Sequence, residues 1–438
     1  MSDLAKDVKF SLKVMINEQK TEVLFAEIDS DLADVLLSFL TLPLGTIVRI
    51  MKKHYGDEAP VFGSITTLND GLSYLDSSHF WTEAGKEMLL NPTSSFIDEC
   101  RKLKLDVGEN QPIKYFTCEN RSCFYPRSKS LGIYYDIVKC DCGKQLKREI
   151  SVRNVSNAVD GEVFTMRTAT FLITDDLDIW SNETTSVKDI LDNLGIMDID
   201  GAELRNLTFG FNEIMDLLKY SLISPTPLTN VVLKQQNTYK LDFSFHWIGK
   251  KTTVVDNSVR KLKVILQKST NKFLFAEASE DFIEILFSFL VISLGGVQSL
   301  LGTDSSLENI DNLYSCVEYP IDEKNPNSHE RSRLLSPPIP YGYFSKKWIF
   351  PLTEEEAPKL RYTASKNEEY LIPGAANCTF KSPRGEANYI NGPRKYMVKD
   401  DLTVTPLCLT SYINTLNEQK ISFSDVEELV LNIGLEEK

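Results

Sequence analysis

The sequence lacks both an excess of positive charge and a long apolar run. Its 438 residues carry 48 Lys and Arg against 62 Asp and Glu, a formal net charge of −14, so phosphate backbones and anionic membrane surfaces repel the chain as a whole. The longest uncharged stretch, residues 285–301, includes Gly295 and Gly296 and only just reaches the length that crosses a bilayer. Residues 1–10 contain no signal-peptide core. We therefore expect a protein of the cytoplasm or nucleus without a transmembrane segment.

Catalytic signatures are missing as well. The sequence contains no G-x-x-x-x-G-K-[ST], no G-x-G-x-x-G after a strand, no G-x-S-x-G and no H-E-x-x-H. Its four histidines are dispersed along the chain. Two acidic pairs, 175–176 and 400–401, follow predicted strands, where carboxylates more often cap turns than converge on a reacting atom. These absences predict a non-catalytic protein with no catalytic residues; an enzyme whose site is assembled from distant residues is the alternative.

The chain contains an internal repeat. Residues 11–51 read SLKVMINEQKTEVLFAEIDSDLADVLLSFLTLPLGTIVRIM, and residues 261–301 read KLKVILQKSTNKFLFAEASEDFIEILFSFLVISLGGVQSLL. They align without gaps, and 14 of the 41 positions are identical. Shorter matches continue further along: ITDDL at 173–177 with VKDDL at 398–402, and LTFGFNE at 207–213 with LNIGLEE at 431–437. The sequence therefore predicts two tandem related units.

Each unit begins with the pattern of a β-hairpin. In the first copy, apolar and polar residues alternate over 12–16, a polar turn occupies 17–21, and 23–26 form the returning apolar strand. The second copy keeps this pattern. Further strands are predicted at 169–174 and 204–209.

An amphipathic helix follows each hairpin. Apolar residues recur at helical spacing from Leu32 to Leu40. Asp29 and Ser30 are candidate N-caps, as is Ser279 in the second copy. The opposite stripe is polar and consists of Asp31, Asp34 and Ser38. In the second copy the apolar arc exceeds half of the helix, so we expect other elements to cover more than one side. Further helices are predicted at 187–194 and 212–222.

These patterns define the boundaries of the two units. The first unit is predicted at residues 8–233, an inter-repeat connection at 234–260, and the second unit at 261–438. The second unit lacks a counterpart of the predicted helix at 212–222, which suggests a unit shortened at its C-terminus. We expect the corresponding apolar face to stay open, to be covered by another element, or to belong to a shortened product.

Half of the eight cysteines lie close together in the first unit. Cys118, Cys123, Cys140 and Cys142 have the spacing C-x4-C-x16-C-x-C, followed by Gly143. Two short cysteine pairs joined by a strand-forming segment can place four thiolates around a tetrahedral zinc ion, and a glycine permits the tight turn that wraps the metal. The pattern predicts a structural zinc ribbon at 112–153, because four thiolates leave no position for a catalytic water. A redox thiol site and unliganded cytosolic cysteines are the alternatives.

The same segment is locally basic. Residues 112–153 carry nine Lys or Arg and four acidic residues, interleaved with aromatic residues such as Tyr115 and Phe116. This composition is typical of a base-stacking surface and makes nucleic-acid binding an alternative function. The competing interpretation is a ribbon too small to have its own core, which uses aromatic side chains as filler and lysines for solubility.

Several motifs together carry a resemblance to a known family. The block LKVMINEQKTEVLFAEIDSDLADVLLSFLTLPLG, the segment LNDGLSYL, the cysteine pairs ending in CDCG and the segment ITDDL resemble the plant-specific domain of unknown function 674 family. The resemblance covers nearly the whole chain. It implies a tandemly repeated plant protein without an assigned function, and it supplies no catalytic residues. The second copy departs from the pattern, with VISLGG in place of LTLPLG and no cysteine pairs.

The sequence thus predicts an α+β fold. We expect two tandem related units, each a β-hairpin plus amphipathic helix with further mixed strands and helices, and a zinc-ribbon-like insertion in the first. The predicted function is a non-catalytic interaction module that carries a structural zinc ion and binds protein partners. Nucleic-acid binding through the basic ribbon and an enzyme with a composite site are the alternatives.

Overall fold

The structure is a computed structural model. It describes residues 7–120, 123, 129–134, 136–153, 163–165, 170–181, 191–192, 200–236, 260–302, 307–318, 328–364, 369–374, 378–381 and 388–433. Most of the helix predicted at 187–194 and of the connection predicted at 234–260 lies outside these residues. No helix among the described segments has the length and hydrophobicity needed to span a membrane.

The described residues form a mixed α+β fold. The strands are β1 (Phe10–Ile16), β2 (Val23–Asp29), β3 (Tyr115–Cys118), β4 (Lys129–Gly132), β5 (Leu146–Ile150), β6 (Thr170–Ile173), β7 (Ile179–Ser181), β8 (Glu203–Phe209), β9 (Arg260–Gln267), β10 (Lys272–Ser279), β11 (Leu360–Ala364), β12 (Glu369–Pro373), β13 (Cys378–Phe380), β14 (Lys395–Val398), β15 (Val404–Pro406) and β16 (Val426–Ile433). The helices are α1 (Ser30–Ser38), α2 (Leu44–Tyr55), α3 (Ser64–Tyr74), α4 (Glu83–Leu90), α5 (Ile97–Cys100), α6 (Phe211–Ile223), α7 (Pro227–Leu233), α8 (Glu280–Ser288), α9 (Leu294–Leu301), α10 (Glu308–Glu318), α11 (Ser328–Leu335) and α12 (Leu409–Glu418).

The predicted hairpins are confirmed in both copies. β1 pairs with β2 and β9 pairs with β10, both antiparallel. Alternate residues of β1 are buried, as a strand with one face on a core requires. Asp29 accepts a hydrogen bond from the Leu32 amide at 2.9 Å, which confirms it as the N-cap of α1, whereas Ser30 is the first residue of the helix. Ser279 is the N-cap of α8, but its side chain makes no capping hydrogen bond. The strands predicted at 169–174 and 204–209 and the helix predicted at 212–222 are also present, as β6, β8 and α6.

Two five-stranded antiparallel sheets share one strand order. The first runs β7-β6-β2-β1-β8 and the second runs β15-β14-β10-β9-β16. Their registers correspond residue by residue, since Val14 lies opposite Ala26 in the first sheet and Val264 lies opposite Ala276 in the second. The sequence offset of 250 is therefore also the offset between the two hairpins.

The two halves of the chain contact each other at a crossing of two backbone segments. Pro43 and Ser293 form an isolated antiparallel bridge. The Leu44 amide donates to the Ile292 carbonyl at 2.9 Å, and the Leu294 amide donates to the Leu42 carbonyl at 3.0 Å. These two hydrogen bonds are equivalent at the repeat offset, so the crossing is locally symmetric.

Each sheet is covered by a helix from the other half of the chain. The core under the first sheet contains Ile310 and Leu313 of α10, whereas the core under the second sheet contains Leu68 and Leu72 of α3. The approach is close, because a Cβ atom on Gly71 of α3 would lie 3.1 Å from the Val404 backbone nitrogen of β15. The additional elements expected to cover the apolar helix faces are therefore α10 and α3, each of which packs on the sheet of the other half.

Part of the polar stripe on α1 is buried. Asp34 and Ser38 are 5% and 2% exposed. The Asp34 carboxylate accepts hydrogen bonds from three successive amides, those of residues 163–165, at 3.2, 3.1 and 2.7 Å. Its counterpart on α8, Glu284, is 1% exposed and accepts from the amides of Tyr389 and Ile390, both at 2.9 Å. Each carboxylate therefore fastens a distant loop to the first helix of its half.

The stability of the fold should depend on the protonation of Asp34. Burial raises the pKa of Asp34 from 3.8 to about 6. The proton is held more tightly in the folded chain, so the contribution of this group to stability is fully present below pH 3.8 and is lost as the pH rises to about 6. Asp34→Asn does not titrate, and the stability of the wild type relative to this variant should fall between those pH values. Thermal unfolding at pH 4, 5 and 6 measures the difference.

Asp31→Asn is the matched control for this prediction. Asp31 lies one turn away on the same helix, but it is partly exposed and pairs with Lys104 at 3.2 Å. A pH dependence that is the same in wild type and Asp34→Asn would contradict the assignment.

Candidate metal centre

The four clustered cysteines belong to a small four-stranded sheet. Its order is β13-β4-β3-β5. Cys118 is the last residue of β3, which pairs antiparallel with both β4 and β5. The Cys123 amide donates to the Asn120 carbonyl at 3.1 Å. The first cysteine pair is thus held at the end of a strand.

The second cysteine pair lies in a tight turn before β5. The Gly143 amide donates to the Cys140 carbonyl at 2.8 Å, and the Cys140 amide donates to the Lys144 carbonyl at 2.8 Å. Gly143 has a φ of +84°, a conformation that disfavours residues with a Cβ atom. The glycine after the cysteine pair therefore makes the turn that brings Cys140 and Cys142 back towards Cys118.

The four sulfur atoms converge on one point. All of them lie within 4.8 Å of one another, and the Cys118 and Cys142 sulfurs are 3.6 Å apart. Four thiolates bound to zinc at about 2.3 Å in a tetrahedron are separated by about 3.8 Å, so the spacing fits a metal centre. It does not fit a disulfide, in which the sulfurs are about 2.05 Å apart.

Burial and hydrogen bonding distinguish the four thiols. Cys118 and Cys140 are buried, Cys123 is half-buried and Cys142 is exposed. A hydrogen bond from the Lys144 amide lowers the pKa of Cys142 to about 7, whereas the interaction with the Cys142 sulfur raises the pKa of Cys123 to about 12. Cys142 therefore becomes a thiolate, the form that metal binding requires, at a lower pH than Cys118 or Cys123.

The donor set determines what such a centre can do. Four cysteine sulfurs in a tetrahedral arrangement suit zinc or iron, and they occupy every position around the ion. A closed site of this kind offers no coordination position to a substrate or water. The cluster can hold a metal ion that cross-links β3 to the turn before β5.

The second half of the chain contributes to the same sheet. β13 pairs in parallel with β4, with Cys378 opposite Lys129. Lys381 forms an ion pair at 2.7 Å with Asp141, the residue between the second pair of cysteines. Tyr115, Leu131 and Ile150 pack with Leu360 and Leu371 in a shared apolar cluster. Sequence analysis missed this contribution, because β13 is only three residues long and has no periodic pattern.

Many basic and aromatic residues of the insertion have partners within the protein. Lys147 pairs with Asp136 at 2.9 Å, Lys114 pairs with Glu149 at 3.4 Å, and Arg148 pairs with Glu369. Other residues of the segment are buried: Lys129 is 8% exposed, and Tyr115 and Phe116 are buried. The Arg153 guanidinium lies 4.1 Å from the ring centre of Tyr370. These side chains therefore contribute to packing and ion pairing within the protein. Arg121, Arg127, Phe124, Tyr125 and Tyr135 lie outside the described residues.

Lys129 is a residue whose environment the sequence did not reveal. Its ammonium group lies 3.0 Å from the centre of the Tyr362 ring, and burial lowers its pKa to about 7. Strand alternation would have indicated that Lys129 shares a face with the buried Leu131. The alternation pattern therefore indicated a buried lysine, but the basic composition of the segment favoured an exposed one.

The fold and the cysteine cluster define a mixed α+β protein with a candidate metal centre. The family model described as "Protein of unknown function (DUF674)" matches residues 6–436, nearly the whole chain. The chain belongs to this family, which confirms the resemblance drawn from its motifs. No curated protein and no solved structure matches the chain.

Proposed function

We propose that the protein is a non-catalytic interaction module of the cytoplasm or nucleus that carries a structural zinc ion. The observation that supports this proposal most strongly is the convergence of the Cys118, Cys123, Cys140 and Cys142 sulfurs within 4.8 Å. A closed four-thiolate site stabilises structure and performs no chemistry of its own. The absence of catalytic signatures from the sequence supports the same conclusion.

We further propose that the two halves are tandem copies of one unit, the first of which carries a zinc-ribbon-like insertion. The shared strand order, the common register of the hairpins and the symmetric crossing at Pro43 and Ser293 support this proposal. A duplicated chain with a net charge of −14 and no catalytic signature presents an acidic surface that suits binding to other proteins.

Affinity capture combined with activity screening tests the proposal. The full chain, immobilised and exposed to an extract of its source organism, should retain specific protein partners. Cys118→Ser should change the set of retained proteins if the ribbon contributes to binding. Failure to retain any specific protein, together with turnover of a compound from a metabolite panel, would overturn the proposal in favour of an enzyme.

A further inference from the structure

A large cavity lies between the two halves of the chain. Its volume is about 850 Å³. One wall is formed by apolar residues of the first half, including Ile47, Val48 and Phe62, and the facing wall includes Phe273 and Leu274 of the second half. The turn after β14, residues 399–401, forms part of the boundary. The cavity thus combines an apolar interior with carboxylates.

The equivalent position in the first half is marked by a matching turn. Residues 174–177 follow β6 as residues 399–402 follow β14. Leu177 and Leu402 both have positive φ, at 66° and 60°. The Leu177 amide donates to Thr174 and the Leu402 amide donates to Lys399, at 3.2 and 3.0 Å. Asp175 and Asp400 are therefore structural counterparts, as are the hairpin residues Val23 and Phe273.

In the first half, α7 packs against Asp175 and Val23, the counterparts of the cavity residues Asp400 and Phe273. The Thr229 amide and hydroxyl donate to the two carboxylate oxygens of Asp175, at 2.8 and 2.5 Å. The Val23 amide donates to the Thr229 hydroxyl at 2.8 Å. Leu228 is only 1% exposed and enters the apolar core. One leucine and the threonine that follows it therefore account for both the apolar and the polar anchoring of this helix.

Asp175 also supplies the N-terminal cap of α7. Thr226, at the N-cap position, makes no capping hydrogen bond with its side chain, and Pro227 has no amide hydrogen. A carboxylate at the N-terminus of a helix complements both the open amides and the helix dipole. A carboxylate beside an apolar cavity can therefore accept hydrogen bonds from the first-turn amides of a helix whose apolar side chains enter the cavity.

The second half presents the same features without an α7 counterpart among the described residues. Asp400 is exposed at the edge of the cavity, and no described residue donates a hydrogen bond to its carboxylate. Thr67 of α3 donates to the backbone carbonyl of the neighbouring Asp401, much as Asn312 of α10 donates to the carbonyl of Asp176 at 2.9 Å. The frame around the cavity is thus built like the frame that holds α7.

We propose that this cavity binds a short helical segment of a partner protein that carries a leucine followed by a threonine in its first turn. The leucine side chain enters the apolar interior, and the threonine amide and hydroxyl donate to Asp400. The inference rests on the proposed function, because it names the chemistry of the partner that the interaction module recognises. It uses α7 of the same chain as the template for the occupant.

A peptide with the sequence of residues 224–234, SPTPLTNVVLK, is the probe. Its fluorescently labelled form should bind the full-length protein saturably in an anisotropy titration. Asp400→Ala should weaken binding by about tenfold or more, because charge-assisted hydrogen bonds are lost. Val61→Asp should also weaken binding, because Val61 lines the cavity. Both variants are expected to fold, since Asp400 is exposed and Val61 is 68% exposed.

Matched controls separate the proposed contacts from non-specific binding. In the peptide, Leu228→Ala and Thr229→Val should each reduce affinity, the second by removing the hydroxyl at nearly constant volume. In the protein, Asp98→Ala removes an exposed carboxylate that does not line the cavity, and it should leave the affinity unchanged. Binding that is absent, or that is insensitive to Asp400→Ala or to Thr229→Val, overturns the proposal.

Other occupants give different results in the same samples. A dimer in light scattering that Asp400→Ala abolishes would assign the cavity to a second copy of the chain and overturn the proposal. A small apolar compound that raises the melting temperature of a protein that does not bind the peptide would also overturn it. If captured partners are retained equally by wild type, Asp400→Ala and Val61→Asp, the interaction function stands and only this binding site fails.

Discussion

Cys118→Ser is expected to reduce bound zinc from about one ion per chain to nearly none. Removing one of four thiolates opens the coordination shell, and structural zinc sites contribute on the order of 10 kcal/mol of coupled binding and folding free energy. Cys118 and Cys140 are the two buried cysteines of the cluster, so Cys140→Ser should have the same effect. Elemental analysis of the purified full-length protein measures the stoichiometry directly.

The loss of zinc should also change the structure around the centre. The sheet β13-β4-β3-β5 joins the insertion to the second half, so hydrogen exchange should accelerate both in residues 115–118 and in residues 378–380. Cys408→Ser is the matched control, because Cys408 is exposed and lies outside the cluster. Equal metal content in Cys118→Ser and Cys408→Ser would refute the assignment of the metal centre.

Glu284→Ala is expected to cost at least about 3 kcal/mol of unfolding free energy. The Glu284 carboxylate is 1% exposed and accepts from the Ser345 hydroxyl at 2.6 Å, in addition to the Tyr389 and Ile390 amides. Truncation leaves three buried donors without an acceptor, and each unsatisfied group costs about 1–3 kcal/mol. It also opens a cavity beneath α8. Chemical denaturation followed by circular dichroism measures the change.

Two variants control for the specific role of this carboxylate. Glu284→Gln retains the volume and one acceptor oxygen, so it should be less destabilising than Glu284→Ala. Asp281→Ala removes a partly exposed carboxylate from the same helix, where the ion pair with Lys347 at 2.9 Å contributes at most about 1 kcal/mol. If Asp281→Ala proved as damaging as Glu284→Ala, burial of hydrogen-bonded charge would not be the source of the effect.

Local patterns predicted the elements that begin each half. Period-two alternation identified β1 and β2, and helical spacing identified α1 with its N-cap at Asp29. These features depend on residues close together in sequence. The repeat then transferred the same prediction to β9, β10 and α8.

Long-range pairing was not predictable in the same way. An amphipathic pattern on α3 shows that the helix must cover a core, but it does not show which core, and α3 covers the sheet of the other half. The burial of Asp34 was hidden for a similar reason, since its three donors lie about 130 residues further along the chain. Polar residues on a helix give the same pattern whether water or a distant backbone segment satisfies them.

The cysteine cluster could be predicted from the sequence, whereas its surroundings could not. Four cysteines in two short pairs and a following glycine specify the candidate ligands and one of the turns by themselves. The docking of β13 and the ion pair between Lys381 and Asp141 depend instead on the path of the second half. The candidate ligands can be recognised from local sequence, whereas the contacts that support the site depend on tertiary structure.

The exchange of helices at the crossing of Pro43 and Ser293 constrains how the protein is made. During synthesis the first sheet can pair its strands once residue 209 has left the ribosome, yet its core still lacks Ile310 and Leu313. The nascent first half must therefore hold an apolar face open while roughly a hundred more residues are translated, a time of several seconds or more. A chain built in this way exposes an apolar, aggregation-prone surface during that delay.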